Sequence, residues 1–457
     1  MTQADLIIIG GGPGGYETAV SAANAGLNTV LVEAERLGGA CLNEGCIPTK
    51  CLCRTAEIID LLNDSAQYGI ECRNVTFNIQ KAQERKNKVI EELHSGISKL
   101  LELAKVRIVY GRAEFVCKNE IRVIRDSSEG TLSEEYTAKH IIIATGAKTC
   151  CLPVPGYNLP GVVTSKDLLS IETIPDSICI IGGGVIGVEF ASIFSSFGSK
   201  VTVIEYRKEI LPNFDSELSK RLRLILKRKG VVFYTNSSVM NISKPDGQRL
   251  SVGYTAKGVE STTEADLVLM AVGRSANMES INLDDIGIAT DKRGIVVDEN
   301  FRTNVDGIYA IGDVNGICQL AHAAKYQGKR ALNNILGKPD SFNFDVIPAA
   351  VFTQPEFSMV GKTEDACIAD GIEYITRKVL FRANGKALAL GSTEGWAKMI
   401  LSPSGKILGC HILGPHASDL IEEVAVVMQQ GGTCADIYQT IHAHPTLCEV
   451  VCDVASE

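Results

Sequence analysis

Short, wholly apolar runs alternate along this chain with glycine-rich turns and with stretches of helical spacing. Leu6-Ile7-Ile8-Ile9 leads into Gly10-Gly11-Gly12-Pro13-Gly14-Gly15. An apolar run of this length, without alternation, has the pattern of a buried parallel strand. A helix is predicted from the turn to about Ala25, and a second apolar strand, Thr29-Val30-Leu31-Val32, ends at Glu33. The same grammar returns later. Ser177-Ile178-Cys179-Ile180-Ile181 runs into Gly182-Gly183-Gly184-Val185-Ile186-Gly187, a helix follows, and Val201-Thr202-Val203-Ile204 ends at Glu205. The glycine-to-acid offset is the same in both copies, 33 − 10 = 23 and 205 − 182 = 23. One glycine pattern is weak, but two in full strand–turn–helix–strand–acid context are strong.

The spacing has a physical reading. In each copy the first glycine permits a tight turn, the second lets backbone approach a pyrophosphate, and the third lets helix and strand pack closely. The helix N-terminus then offers unpaired N–H groups and a positive dipole end to the phosphates. Glu33 and Glu205 are placed to accept hydrogen bonds from a ribose, and the carboxylate of Glu205 repels a 2′-phosphate, which favours NAD over NADP; Arg207 beside it pulls the other way. The competing phosphate cradle is missing. Gly361-Lys362-Thr363 ends like a P-loop, but Glu356 stands where its first glycine is needed.

Further strands follow from the same patterning. His140-Ile141-Ile142-Ile143-Ala144-Thr145-Gly146 closes the first unit, while Ala265–Arg274 and Gly307–Asp313 read as two more apolar strands ending in glycine and a polar residue. Residues 80–104 have the spacing of a long helix. From about residue 341 the pattern changes to strands, a glycine-rich turn at 384–395 and helices at 416–432. The expected organisation is therefore a first dinucleotide-binding domain over 1–149, a second over 150–271, a return to the first over 272–340 and an α+β domain over 341–457.

Composition narrows the function. Of 457 residues, 45% are apolar and 22% charged, the balance of an ordinary globular protein, and the net charge of 45 − 54 = −9 comes with no basic block. Such a chain is a poor reader of nucleic-acid phosphates or anionic membranes. No apolar run approaches the roughly 18 residues of a spanning helix, and Met1-Thr2-Gln3-Ala4-Asp5 lacks the basic residues of a signal peptide. Fifteen irregularly spaced cysteines do not read as a secreted disulfide scaffold. The expectation is mostly buried thiols kept reduced in a cytosol-like compartment, although a processed organellar protein would look the same.

Cys41-Leu42-Asn43-Glu44-Gly45-Cys46 is the cysteine pair with a candidate chemistry. Five residues of regular helix hold Cα atoms roughly 9 Å apart, beyond the reach of a disulfide, so bridging needs a distorted turn. Gly45 and Pro48 are the residues that permit one. A strained bridge is easily reduced, as a catalytic disulfide must be, and a helix start favours the thiolate. Two other readings stand beside it. Both cysteines can be plain buried thiols, or Cys41, Cys46, Cys51 and Cys53 can ligate a metal, although no familiar zinc or iron–sulfur spacing fits.

The stretch Gly38-Gly39-Ala40-Cys41-Leu42-Asn43-Glu44-Gly45-Cys46-Ile47-Pro48-Thr49-Lys50 resembles the active-site segment of the flavoprotein disulfide reductases. His442-Ala443-His444-Pro445-Thr446-Leu447-Cys448-Glu449 is similar to their C-terminal catalytic segment, and Ile308–Asp313 with Leu320-Ala321-His322 to their flavin-contacting region. Glu205, Gln354-Pro355-Glu356 and Gly409–Leu420 bring the chain nearest to the branch that oxidises dihydrolipoamide. Ala40, Ala276 and Cys448 depart from the usual Thr, Pro and Ser without removing chemistry; Cys448 adds an oxidisable thiol near His444.

The resemblance implies an α/β fold, two Rossmann-like dinucleotide-binding domains plus a C-terminal α+β dimerisation domain. It implies FAD on Gly10, Gly12, Gly15, Glu33, Lys50, Gly146, Asp313 and Ala321, and NAD on Gly182, Gly184, Gly187, Glu205 and Gly273. Cys41 becomes the interchange thiol, Cys46 the thiol facing the flavin, and His444 the acid–base oriented by Glu449. Lys50 and Glu189 become an ion pair beside the flavin N5. The implied activity is oxidation of protein-bound dihydrolipoamide to lipoamide with hydride transfer to NAD⁺, and the implied partners are a second copy of the chain, whose His reaches the disulfide, and the lipoyl domains of a 2-oxoacid dehydrogenase or glycine-cleavage system. Reduction of another small disulfide by NAD(P)H and a non-enzymatic flavin–thiol sensor remain as rivals. On the residues alone His442 stays open as the base in place of His444, and His442, His444, Cys448 and Cys452 stay open as a zinc site, against which Pro445 and the short His-x-His spacing argue.

Overall fold

Strand Thr2–Ile9 sits at the centre of its sheet, with Leu6, Ile7 and Ile8 completely buried. Both faces of the strand are covered, which is why its sequence shows no polar alternation. The computed structural model describes residues 2–127, 130–245, 249–279 and 281–456; Met1 and Glu457, the outer limits of the expected domain ranges, lie outside them. The chain forms two compact units. One comprises residues 1–49, 83–150 and 273–342, the other 50–82, 151–272 and 343–457.

In the first unit, strands Arg107–Tyr110, Thr29–Glu33, Thr2–Ile9, Gly130–Ile143 and Ile308–Ala310 lie side by side and parallel, with Ile7 opposite both Val30 and Ile141. The first half of Gly130–Ile143 pairs antiparallel with Glu120–Ser127, which pairs in turn with Arg112–Cys117. Helices Pro13–Asn24 and Ala321–Ile335 pack closely because the contact is built from small residues: a Cβ on Gly14 would meet Ala324 at 3.2 Å.

The second unit repeats the parallel arrangement. Val232–Tyr234, Lys200–Ile204, Ser177–Ile181, Leu267–Met270 and Val162–Val163 lie in that order, all parallel. A three-stranded antiparallel sheet, Ser237–Ser243, Leu250–Ala256 and Val259–Ala265, belongs to the same unit. So does a five-stranded antiparallel sheet in the order Ala349–Val351, Glu356–Gly361, Ile407–Gly414, Trp396–Leu401 and Ile375–Leu380, backed by helix Ala417–Gln429. Phe214 and Phe357, with ring centroids 5.0 Å apart, join the parallel layer to this last sheet.

Four expectations need correction. Ala265–Arg274 is not one strand. It breaks at Asp266, whose carboxylate accepts from Ser177 N and Oγ at 2.8 Å, and Val259–Ala265 and Leu267–Met270 join different sheets. Gly307–Asp313 is a strand only over Ile308–Ala310, because Gly312 turns at φ +74° into a 3₁₀ turn. The glycine-rich turn at 384–395 contains helix Gly385–Ala389, capped by the Asn384 side chain accepting from Ala387 N. Only five of the fifteen cysteines are buried; among the exposed ones, Cys46 opens a helix and Cys448 caps one, positions where the first turn faces water.

Candidate functional site

Each glycine loop is stitched to its own acidic residue. Gly11 N–H donates to Glu33 Oε2 at 2.7 Å while Glu35 N–H donates to Oε1 at 2.8 Å. In the second unit Gly183 N–H donates to Glu205 Oε2 and Arg207 N–H to Oε1, both at 2.5 Å. Burial raises the Glu33 pKa, opposed by those backbone N–H groups. The helices that follow, Pro13–Asn24 and Val185–Ser196, are preceded by Gly12 and Gly184 with no side-chain cap, so their first-turn N–H groups remain available. A Cβ on Gly184 would meet nothing within 4 Å, and one on Gly12 only Gly39 Cα at 3.8 Å. Open space over an uncapped helix start, beside a carboxylate, fits a dinucleotide pyrophosphate and ribose in both units. Gly10, Gly15, Gly182 and Gly187 have another purpose, since a Cβ on any of them would lie within 2.3 Å of a backbone oxygen.

The remaining sequence-marked positions flank these loops. Gly146 and Gly273 both have positive φ, +73° and +115°, and belong to the first unit. Asp313 lies half-buried in the turn Gly312–Asn315, its carboxyl pKa raised by burial and held back by Arg274. Ala321 opens helix Ala321–Ile335, again without a side-chain cap.

The thiol segment is built on the first of these loops. Gly38 N–H donates to Gly11 O at 2.8 Å, and Gly39 approaches so closely that a Cβ there would be 2.7 Å from Gly12 Cα. Gly38 at φ +95° starts helix Gly39–Glu44, which carries Cys41 and ends at Gly45 with φ −146° and ψ −106°. Cys46 then begins a separate 18-residue helix, Cys46–Asn63. The backbone break expected from Gly45 therefore falls between the two sulfurs. Asn43, lying between them in sequence, donates through Nδ2 to Gly39 O at 2.9 Å and Leu37 O at 3.1 Å. Cys41 is half-buried and Cys46 exposed.

In the second unit Lys50 Nζ donates to both oxygens of Glu189 at 3.0 Å. The carboxylate is 4% exposed and the lysine side chain 31%. Phe352 adds two contacts: its N–H donates to Glu189 Oε1 at 2.9 Å, and its ring lies under the Lys50 ammonium, 4.5 Å from centroid to Nζ. The Cys53 thiol beside this pair is pushed up by burial and by the charge of Glu189.

The two histidines are held differently. Both nitrogens of His442 are engaged, Nδ1 with Thr440 O and Nε2 with Glu423 Oε1, each at 2.8 Å, and its side chain is 9% exposed. His444 meets Glu449 Oε1 through Nδ1 at 2.8 Å and is 77% exposed; its Nε2 has no hydrogen-bond partner among the described residues. Thr446 N–H donates to the other oxygen of Glu449 at 2.9 Å. That bond and the His444 contact lower the Glu449 pKa, so the carboxylate accepts and Nδ1 donates. Among the described residues no group of three or more His, Cys, Asp or Glu side chains is arranged to hold a metal ion, and no helix is long and apolar enough to cross a membrane.

Asn43, Tyr16 and Phe352 were not marked by their sequence. Tyr16 follows the first glycine loop, and its phenol is pushed up to about 12 by burial, then by Glu17 and Cys41. Its place directly after Gly15, in the helix that follows the turn on which the thiol segment rests, is the signal that could have singled it out. Phe352 offers no such signal.

Residues 4–328 match the family model for pyridine nucleotide-disulphide oxidoreductases, and residues 347–455 the model for the dimerisation domain of the same proteins. The chain is 40% identical over 457 residues to dihydrolipoyl dehydrogenase from Geobacillus stearothermophilus, covering 99% of this chain and 96% of the relative. A Bacillus subtilis dihydrolipoyl dehydrogenase is similar to the same extent. Among solved structures, the Cu(II) complex of the HOCl-induced flavoprotein disulfide reductase RclA from Escherichia coli superposes with a TM-score of 0.87 at 31% identity, over 100% of this chain and 99% of that one.

Proposed function

The chain belongs to the pyridine nucleotide-disulphide oxidoreductase family, and we propose that it oxidises protein-bound dihydrolipoamide to lipoamide with FAD as resident cofactor and NAD⁺ as hydride acceptor. The observation that carries this reading is the helix break at Gly45, which separates Cys41 and Cys46 onto two helix ends built on a glycine loop. FAD is assigned to Gly10, Gly12, Gly15, Glu33, Gly146, Asp313, Ala321 and Lys50, and NAD to Gly182, Gly184, Gly187, Glu205 and Gly273. We assign the FAD domain to 1–149 with a return over 272–340, the NAD domain to 150–271 and the dimerisation domain to 341–457.

The resting enzyme holds Cys41 and Cys46 as a disulfide. Nε2 of His444, supplied by a second copy of the chain, removes a proton from one substrate thiol. The resulting thiolate attacks Cys41, a mixed disulfide forms, and the Cys41–Cys46 bond breaks with its electron pair on Cys46. That developing charge lies at the start of an 18-residue helix, where the dipole favours it. The second substrate thiol attacks the sulfur bonded to Cys41, its proton passes to the departing Cys41 sulfur, and lipoamide leaves, with Cys41 a thiol, Cys46 a thiolate and the first proton on His444. Glu449 holds the ring through Nδ1 and supports the imidazolium between these steps. FAD held by the residues assigned above would supply the isoalloxazine ring system that carries an electron pair from the thiol pair to NAD⁺. Lys50, fixed by Glu189, presents positive charge to that ring system.

The partners are a second copy, in keeping with the dimerisation-domain match, and lipoyl domains of a 2-oxoacid dehydrogenase or glycine-cleavage complex, in the cytoplasm. Steady-state assay with dihydrolipoamide and NAD⁺ tests the reading. Absence of turnover, with NADH instead consumed by another small disulfide, would reject it in favour of a disulfide reductase, as the RclA likeness allows.

A further inference from the structure

We infer that Phe352 is a positioning residue for Lys50, its ring face holding the ammonium in place over Glu189. The inference rests on the reading of Lys50 as the cation beside the flavin. Phe352 makes two contacts with the pair. Its backbone N–H fixes Glu189 Oε1 at 2.9 Å, and its ring sits 4.5 Å from Lys50 Nζ. The contacts separate cleanly by chemistry. Any residue at position 352 except proline keeps the N–H, so Glu189 stays anchored when the ring is lost. Only an aromatic side chain offers the ammonium a negative face. The ring face lies against the ammonium, so it fixes the position of the charge as well as the carboxylate does. Cys53, beside the same pair, has its thiol pushed up by burial and by Glu189 and stays an uncharged S–H rather than an anion competing for Lys50.

A double-mutant cycle on the flavin-loaded enzyme tests this, reading both kcat/KM for dihydrolipoamide and the position of the flavin visible absorption band. F352L should lower kcat/KM about two- to fivefold, the size of one half-exposed cation–π contact, and move the band in the direction that K50M moves it. F352Y, which keeps the ring, should restore both, and in a K50M background F352L should add nothing. Should F352L not fold, F352M completes the same cycle. Effects of F352L and K50M that simply multiply, or an F352L spectrum identical to the parent, overturn the inference and leave the Lys50 reading intact. A K50M enzyme unchanged in both readouts overturns the Lys50 reading and this inference together.

Discussion

Glu449 holds His444 by one nitrogen and Thr446 by its backbone, so one carboxylate fixes both the ring and the turn that carries it. Because the Glu449 pKa is lowered, by the Thr446 N–H first and by His444 next, the carboxylate is ionised throughout the neutral range. Nδ1 therefore keeps its proton and Nε2 is the basic atom. His444→Gln should lower kcat/KM by about 10²–10⁴-fold, the usual worth of a positioned acid–base. Glu449→Gln should cost less, since the imidazole stays in place but loses the carboxylate that orients its ring. A Glu449→Gln enzyme with parental kcat/KM would argue that Glu449 merely braces the turn. His442→Gln, by contrast, removes a side chain with both nitrogens already bound, and its effect should fall on melting temperature rather than on kcat/KM.

Thiol counting tests the Cys41–Cys46 pair without any assay of turnover. The chain has 15 cysteines. Purified in air and denatured without reductant, it should show 15 − 2 = 13 reactive thiols, and all 15 after reduction. Cys41→Ser or Cys46→Ser should show 14 in either state. A parent protein with 15 thiols under both conditions would remove the redox pair from the account.

The two kinds of glycine in each loop give opposite outcomes. At Gly184 an added methyl meets nothing within 4 Å, whereas at Gly187 it would lie 2.0 Å from Gly182 O. Gly184→Ala should therefore melt close to the parent, yet raise KM for NAD⁺ about tenfold or more, because the methyl occupies the place of the phosphates. Gly187→Ala should lower stability by an amount typical of core overpacking, about 1–3 kcal/mol. Equal melting temperatures for the two variants would mean that the loop yields more easily than its geometry indicates. Gly12 and Gly15 should divide in the same way, read through FAD retained after gel filtration.

Glu33 and Glu205 were legible because a strand buried on both faces leaves a fully apolar run, and the acid at its end repeats at one offset. Gly45 was legible too, since glycine between two cysteines with proline shortly after marks a break whatever surrounds it. The break at Asp266 was not, because its cause is Ser177, 89 residues away. His442 could not be told from His444 by spacing alone; Glu449 stands in the same motif, but Glu423, which occupies Nε2 of His442, lies 19 residues upstream on a segment the pattern does not relate to it. Phe352 and Lys50, 352 − 50 = 302 residues apart, meet only through the packing of the second unit. Local rules reach what the backbone requires locally; partners brought by the fold lie beyond them.

Lys398 carries the last prediction. Its ammonium is 1% exposed, inside the second unit, and donates to Asp215 at 2.8 Å, Glu364 at 2.5 Å and Glu217 at 3.2 Å. Burial works to lower its pKa, and the hydrogen bonds it donates to Asp215 and Glu364 outweigh that and raise it. Lys398→Met leaves the Asp215 carboxylate, 2% exposed, without a counter-charge, a change that costs about 3–5 kcal/mol when a buried pair is broken. Adding Asp215→Asn should recover part of that loss. The pH dependence has a definite sign. A lysine with a raised pKa contributes fully below its ordinary value of about 10.4 and is lost only as pH rises through the raised one. Glu364, lowered chiefly by Lys398, contributes above about 4.3 and loses that contribution as pH falls through its depressed value. The parent should therefore lose part of its stability on acidification below about pH 4 as Glu364 takes up a proton. The K398M variant, already without the pair, should show a shallower fall in melting temperature over the same range. Parallel curves for the two proteins would place the acid sensitivity elsewhere in the chain.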